Sequence, residues 1–181
     1  EAHSAYQKTL KRVARDGKRF RVFLVRGREG FATYWKDLGT LGGEIHVNVA
    51  GLYTPLLKQL LIWNLPNRDM MLRTVRHEGL HQYLDRFLPS IPTWFNEGLA
   101  VYHENGIKED GKLTFGQPHP EYVWMLKNKG LLPLEKFLFM GPAKFYEDGH
   151  RSYGQAWLLV HMLQHTKPGY LKMFQRLIDD L

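Results

Sequence analysis

Residues 72–101 read LRTVRHEGLHQYLDRFLPSIPTWFNEGLAV, and this stretch decides how the 181-residue chain is read. It holds His77-Glu78-Gly79-Leu80-His81, an H-E-x-x-H pattern, and then, sixteen residues past His81, Glu97 in the run Trp94-Phe95-Asn96-Glu97-Gly98-Leu99-Ala100. On a helix, two histidines four apart stand one turn above each other on a single face, about 6 Å apart along the axis. Both imidazoles can then point at one ion. Asn67 is placed to cap such a helix and Asp69 suits its first turn. Met71, Val75, Leu80, Leu84 and Phe87 supply its packing positions. Leu88-Pro89-Ser90-Ile91-Pro92 stops it, because proline cannot continue a helix. A second helix is expected from about Thr93. The short linker folds it back beside the first, which brings Glu97 towards the histidines. Chance yields only about 0.02 such motifs in a chain of this composition.

Neutral imidazole suits zinc, and two histidines plus one carboxylate leave a fourth position for water. His77, His81 and Glu97 are therefore the expected ligands of Zn2+. Zinc brings the pKa of bound water down to about 7. Glu78, beside the ligand face, is placed to take the proton from that water and pass it to a leaving amine.

The pair HEGLH at 77–81 and WFNEGLA at 94–100 resembles the gluzincin metallopeptidases, most closely the peptidase MA-like branch. The resemblance is specific over residues 70–104 and looser over 20–165. It implies an α+β, zincin-like fold, with a small N-terminal sheet over the active-site helix and a mainly helical C-terminal lobe. It also implies peptide-bond hydrolysis with Glu97 as third ligand. Members of the group commonly place a tyrosine on a later helix to stabilise the tetrahedral intermediate, written Y-x-x-G in the aminopeptidases. Tyr153-Gly154-Gln155-Ala156 has that shape, with Ala for the last Gly. The aminopeptidase G-x-M-E-N strand is replaced by Gly42-Gly43-Glu44-Ile45, so the expectation is an endopeptidase rather than an exopeptidase.

Composition bounds the rest. At this length one domain is expected over residues 1–181, with a real core. A hydrophobic content of 44% argues for a folded globule. No apolar run reaches the length of a membrane span. The chain begins at Glu1 rather than Met, so it is read as processed or trimmed; removal of a signal peptide is one of these readings, and a secreted or extracytoplasmic location is the expectation. The absence of cysteine excludes disulfides, cysteine zinc ligands and thiol nucleophiles. The net charge is +7, and most of it sits in residues 1–30, which carry Lys8, Lys11, Arg12, Arg15, Lys18, Arg19, Arg21, Arg26 and Arg28. Such a run is either a solvated face or a surface for an anionic partner.

In chain order, residues 4–15 read as an amphipathic helix, 20–26 as a strand and 29–38 as a helix. Gly39 to Gly43 read as a turn. Residues 44–50 alternate as a strand, with His46 on the face opposite Ile45, Val47 and Val49. Residues 54–63 read as an apolar helix. Asp110-Gly111 signals a hairpin. Helices are expected over 120–129 and 133–139, a loop over 141–149, then a helix capped by Ser152 running to about His165, and a last helix opened by Pro168.

A developing oxyanion needs a donor besides the metal, and Tyr153 is the first choice, with Tyr146, His150 and His161 behind it. The zinc histidines need acceptors for their second nitrogens, and Asn96, Asp85 and Glu104 are available. The main expectation is a zinc-dependent peptide hydrolase acting on peptide or protein, with Glu78 and Tyr153 catalytic. The alternative is a non-catalytic zinc-containing binding module that uses the basic N-terminal face. A structural zinc site needs neither Glu78 nor an open position. A nucleic-acid partner would rest on charge alone and is not expected.

Overall fold

The computed structural model describes residues 2–13, 19–37, 49–88, 90–110 and 112–181. The chain is mixed α+β. Helix α1 (Ala2–Leu10) is followed by strand β1 (Arg21–Val25), helix α2 (Arg28–Asp37), and strands β2 (Gly51–Thr54) and β3 (Gln59–Trp63). Then come α3 (Arg68–Leu84) and α4 (Thr93–Glu104), the small hairpin β4 (Ile107–Glu109) and β5 (Lys112–Thr114), and five helices: α5 (Pro120–Lys129), α6 (Leu134–Leu138), α7 (Pro142–Glu147), α8 (Gly149–His165) and α9 (Pro168–Asp180). Among the described residues no helix is long and apolar enough to cross a membrane.

The first sheet has the order β1-β3-β2. β1 runs parallel to β3, with Arg21 opposite Gln59 and Val25 opposite Trp63. β2 returns antiparallel on the other side, with Gly51 opposite Ile62 and Thr54 opposite Gln59. This corrects the expected helix over 54–63. Leu60, Leu61 and Ile62 are buried because β3 is the central strand. A short continuous apolar run of that kind is common to buried strands and buried helices. Pro55 to Lys58 form the turn, closed by the Lys58 N–H on the Pro55 carbonyl at 3.3 Å. That turn leaves Leu56 70% exposed, where the helical reading would have buried it.

The sheet lies against α3, which contacts both β2 and β3. On its other side α3 packs on α4, and α4 packs on α8. Phe95, Leu99, Ala100 and Val101 are wholly or almost wholly buried, so α4 is the hub of the core rather than a surface helix. Gly98 makes the α4–α8 approach possible. A Cβ there would stand 2.6 Å from the Ala156 carbonyl oxygen, closer than a side chain tolerates. Phe95 meets Phe174 of α9 edge to face at 5.6 Å, which ties the last helix to the same core.

The starts of α3 and α5, β1, α2 and the 107–114 hairpin agree with the sequence reading. α1 ends at Leu10 rather than at residue 15. The expected loop over 141–149 is instead α7 and the start of α8. Pro142 opens α7, and the buried Phe145 ring anchors it in the core. Ser152 does not cap α8. It lies inside the first turn, donating its N–H to the Asp148 carbonyl at 2.9 Å. The turn at Gly39–Gly43, His46 and residues 44–48 of the expected strand lie outside the described residues.

Candidate metal centre

The helix that carries His77 and His81 starts as its sequence requires. The Asn67 side-chain oxygen accepts from the N–H groups of Asp69 and Met70, at 2.9 and 3.0 Å. With α3 fixed at its start, the two imidazoles emerge one turn apart, their ring centroids separated by 4.9 Å. The adjoining helix α4 presents Glu97, only 4% exposed. Its Oε2 stands 3.3 Å from His77 Nε2 and 3.6 Å from His81 Nε2. His77, His81 and Glu97 offer ligand atoms that all lie within 4.8 Å of one another, and this trio could hold a metal ion.

The remaining atoms of the trio are tied back. His77 Nδ1 pairs with Glu104 Oε2 at 2.9 Å, and His81 Nδ1 with Asn96 Oδ1 at 2.9 Å. Both partners ride on α4. Each bond fixes the ring so that Nε2 faces the trio. Of the three available partners, Asp85 is otherwise engaged, accepting from the Tyr53 hydroxyl at 2.6 Å and from Lys58 Nζ at 2.5 Å. Glu104 is itself held by Arg73 Nη2, at 3.2 Å, and its carbonyl by Arg76 Nη1, at 2.8 Å.

Glu97 is tied on one side only. Its Oε1 accepts from the Tyr146 hydroxyl at 2.8 Å. Its Oε2 is buried and has no hydrogen-bond partner. A buried carboxylate oxygen without a donor costs free energy unless a cation meets it. This orphaned oxygen, aimed between two imidazole Nε2 atoms, is what a divalent ion would satisfy. Two imidazoles and one carboxylate are a donor set suited to zinc.

Electrostatics within the cluster are strongly coupled. For Glu97, burial pushes the carboxyl pKa up, but the nearby charges of His81 and His77 outweigh it and hold it well below the usual range. For His77, burial opposes the charge, yet its hydrogen bond to Glu104 and the nearby Glu97 carboxylate hold its pKa well above the ordinary value. His81 is raised for a similar reason, burial being overcome by the Glu97 charge.

Glu78 stands apart from the trio. Burial raises its pKa, opposed by the two histidine charges. Its Oε2 accepts the backbone N–H of Tyr53, on β2, at 2.8 Å. The sheet thus holds this carboxylate from above while α3 carries it from below. No sequence signal could have found the contact, because a backbone donor has no residue signature.

Tyr153, in the first turns of α8, has its ring 6.3 Å from that of His77 and 6.3 Å from that of Tyr146. Burial, with the Glu97 charge next, keeps its phenol protonated far above the ordinary range. It is thus a hydrogen-bond donor beside the cluster. Of the lesser candidates, Tyr146 is at the centre through Glu97. His150 pairs with Glu121 at 3.4 Å on the surface. His161 is half-buried, and its Nδ1 bonds the Gly116 carbonyl at 2.9 Å, away from the cluster.

Comparison with protein-family models, with curated proteins and with solved structures finds no match to this chain.

Proposed function

We propose that this protein is a zinc-dependent peptidase of the gluzincin type that cuts within peptide chains, built on a zincin-like version of the α+β fold. One observation carries the reading. The buried, unpartnered Glu97 Oε2 faces the Nε2 atoms of both histidines of the H-E-x-x-H pattern, while Glu78 of the same pattern is held outside that set. The resemblance at residues 77–81 and 94–100 supports it, as does a small sheet lying over α3 with helices below.

His77, His81 and Glu97 would hold the ion. Zinc, when bound, supplies Lewis acidity towards a carbonyl oxygen and acidifies water to a pKa of about 7. The chain's own groups do the rest. Glu78 takes the proton from the attacking water and delivers it to the departing amine nitrogen. Held between β2 and α3, it is positioned for both halves of that task. The Tyr53 N–H fixes which carboxylate oxygen turns towards the water. The Tyr153 phenol donates to the substrate carbonyl oxygen as negative charge builds there. Glu104 and Asn96 keep the imidazoles aimed.

The test is metal analysis beside digestion of a peptide library, run on the parent and on Glu78→Gln. The expected result is one zinc per chain in both proteins and a rate lower by about 10²–10⁴ in the variant. Equal cleavage by the two proteins would remove Glu78 as the base. Stoichiometric zinc with no cleavage by the parent would favour the binding-module alternative.

A further inference from the structure

Two residues of the basic N-terminal run are drawn into a cavity by the fold. Arg19 and Arg21, at the entry to β1, meet Lys58 from the β2–β3 turn and Arg86 from just beyond α3 around one cavity of about 710 Å³. These cations come from three distant parts of the sequence, so their convergence is a product of the fold. Among the described lining residues Asp85 is the acidic one, and its Oδ2 is already occupied by Tyr53 and Lys58. Among the described residues, Arg19, Arg21 and Lys58 face the single carboxylate of Asp85, which leaves this part of the wall net positive. A concave wall of low dielectric focuses such a field.

The wall is also braced. The Arg86 guanidinium lies 3.8 Å over the Phe20 ring. The Gln82 amide donates to the Arg21 carbonyl at 2.9 Å.

The cavity adjoins the proposed catalytic cleft through Tyr53. The backbone N–H of that residue holds Glu78, while its hydroxyl reaches Asp85 in the cavity wall. Glu78 and Asp85 are seven residues apart along the same helical path, so they share a face and stand about 10 Å apart along the axis. An extended peptide covers that distance in about three residues.

We infer that this cavity is a subsite for a carboxylate side chain of the peptide substrate, an Asp or Glu within about three residues of the bond that is cut. The inference rests on the peptidase reading above. Guanidinium groups match a carboxylate in two-pronged geometry. A bounded cavity also suits a short peptide segment bearing one carboxylate better than a long polyanion, which needs an extended basic track.

The experiment is fluorescence anisotropy on the zinc-loaded Glu78→Gln protein, with two labelled peptides identical except that one carries Glu where the other carries Gln. The Glu peptide is expected to bind about ten-fold tighter at low salt, with the advantage shrinking as salt rises. The double variant Arg19→Gln/Arg21→Gln should erase that preference. Both side chains are exposed, and Lys58→Asn, in the exposed turn, serves as an independent check. Equal binding of the two peptides overturns the subsite, whatever a cleavage assay gives. A Glu preference untouched by both variants overturns this cavity as its location. Stronger displacement of the Glu peptide by a single-stranded oligonucleotide than by the unlabelled Glu peptide assigns the cavity to a polyanion and overturns the carboxylate assignment. If the parent cuts neither peptide while the Glu preference persists, the anion subsite stands and hydrolysis falls.

Discussion

Two histidine pairs in this molecule have the same spacing and different fates. His77 and His81 on α3 have ring centroids 4.9 Å apart, and His161 and His165 on α8 have theirs 4.6 Å apart. The first pair turns both Nε2 atoms to the buried carboxylate of Glu97 and has each Nδ1 backed by a partner on α4. The second pair spends its nitrogens locally, His161 Nδ1 on the Gly116 carbonyl and His165 Nε2 on the Tyr102 hydroxyl at 2.8 Å. Among the described residues no carboxylate joins it to form a metal-holding group. Four-residue spacing is thus only permission to share an ion. The third donor and the orienting bonds on the far nitrogens decide whether two rings could hold an ion or only bond their surroundings.

Removing the third donor is the sharpest way to break this contrast. Glu97→Ala should weaken zinc binding by more than the roughly 10–100-fold loss typical of an orienting partner, read by competition with a chelator. His165→Ala should leave the same titration unchanged. A loss in the second variant as large as in the first would erase the distinction between the pairs.

Next in size is the donor beside the first pair. Tyr153→Phe should retain zinc and lower the cleavage rate by about 10²–10³. Parent-like turnover would move the donor role to Tyr146.

A fifth histidine extends the comparison to the core. His103 on α4 accepts or donates only within the protein, to the Leu99 carbonyl at 2.9 Å and the Thr9 hydroxyl at 3.1 Å. Burial pushes its pKa down from 6.5 to about 4. The unfolded chain therefore takes this proton at higher pH than the folded one. The contribution is full above pH 6.5 and drains as the pH falls towards 4, by up to about 3 kcal/mol. Urea unfolding at the two ends of that window should show His103→Gln losing less stability on acidification than the parent. Parallel losses would mean that His103 is protonated in the fold.

The smallest of these effects belongs to the orienting shell. Glu104→Gln and Tyr146→Phe should each lower zinc affinity by about 10–100-fold, through loss of aim at His77 and at Glu97 respectively. An unaltered affinity in both would make those bonds incidental.

What could be read without coordinates follows from how local each feature is. The trio and its two helices lie in one continuous stretch with a cap at Asn67 and a proline stop, so spacing alone could point to them. The orienting partners Glu104 and Asn96 were in view but unranked, because choosing between them and Asp85 requires knowing how α3 and α4 cross. The 54–63 segment misled because Leu60 to Ile62 are buried on both faces of a central strand, which removes the alternation that marks a strand. The helix around Phe145 was hidden among Gly, Pro and charged residues, and what anchors it, the buried Phe145 ring and the Tyr146 bond to Glu97, is tertiary. The hold of Tyr53 on Glu78 depends on that misread hairpin and could not have been seen before it.

The most direct test of the central claim is X-ray absorption at the zinc edge, on the zinc-loaded parent and on Glu97→Ala. Two imidazole nitrogens at about 2.0–2.1 Å and a carboxylate oxygen at about 2.0–2.2 Å are expected in the parent, with the carboxylate contribution gone in the variant. A first shell identical in the two proteins would show that Glu97 does not meet the ion, and would contradict the site described.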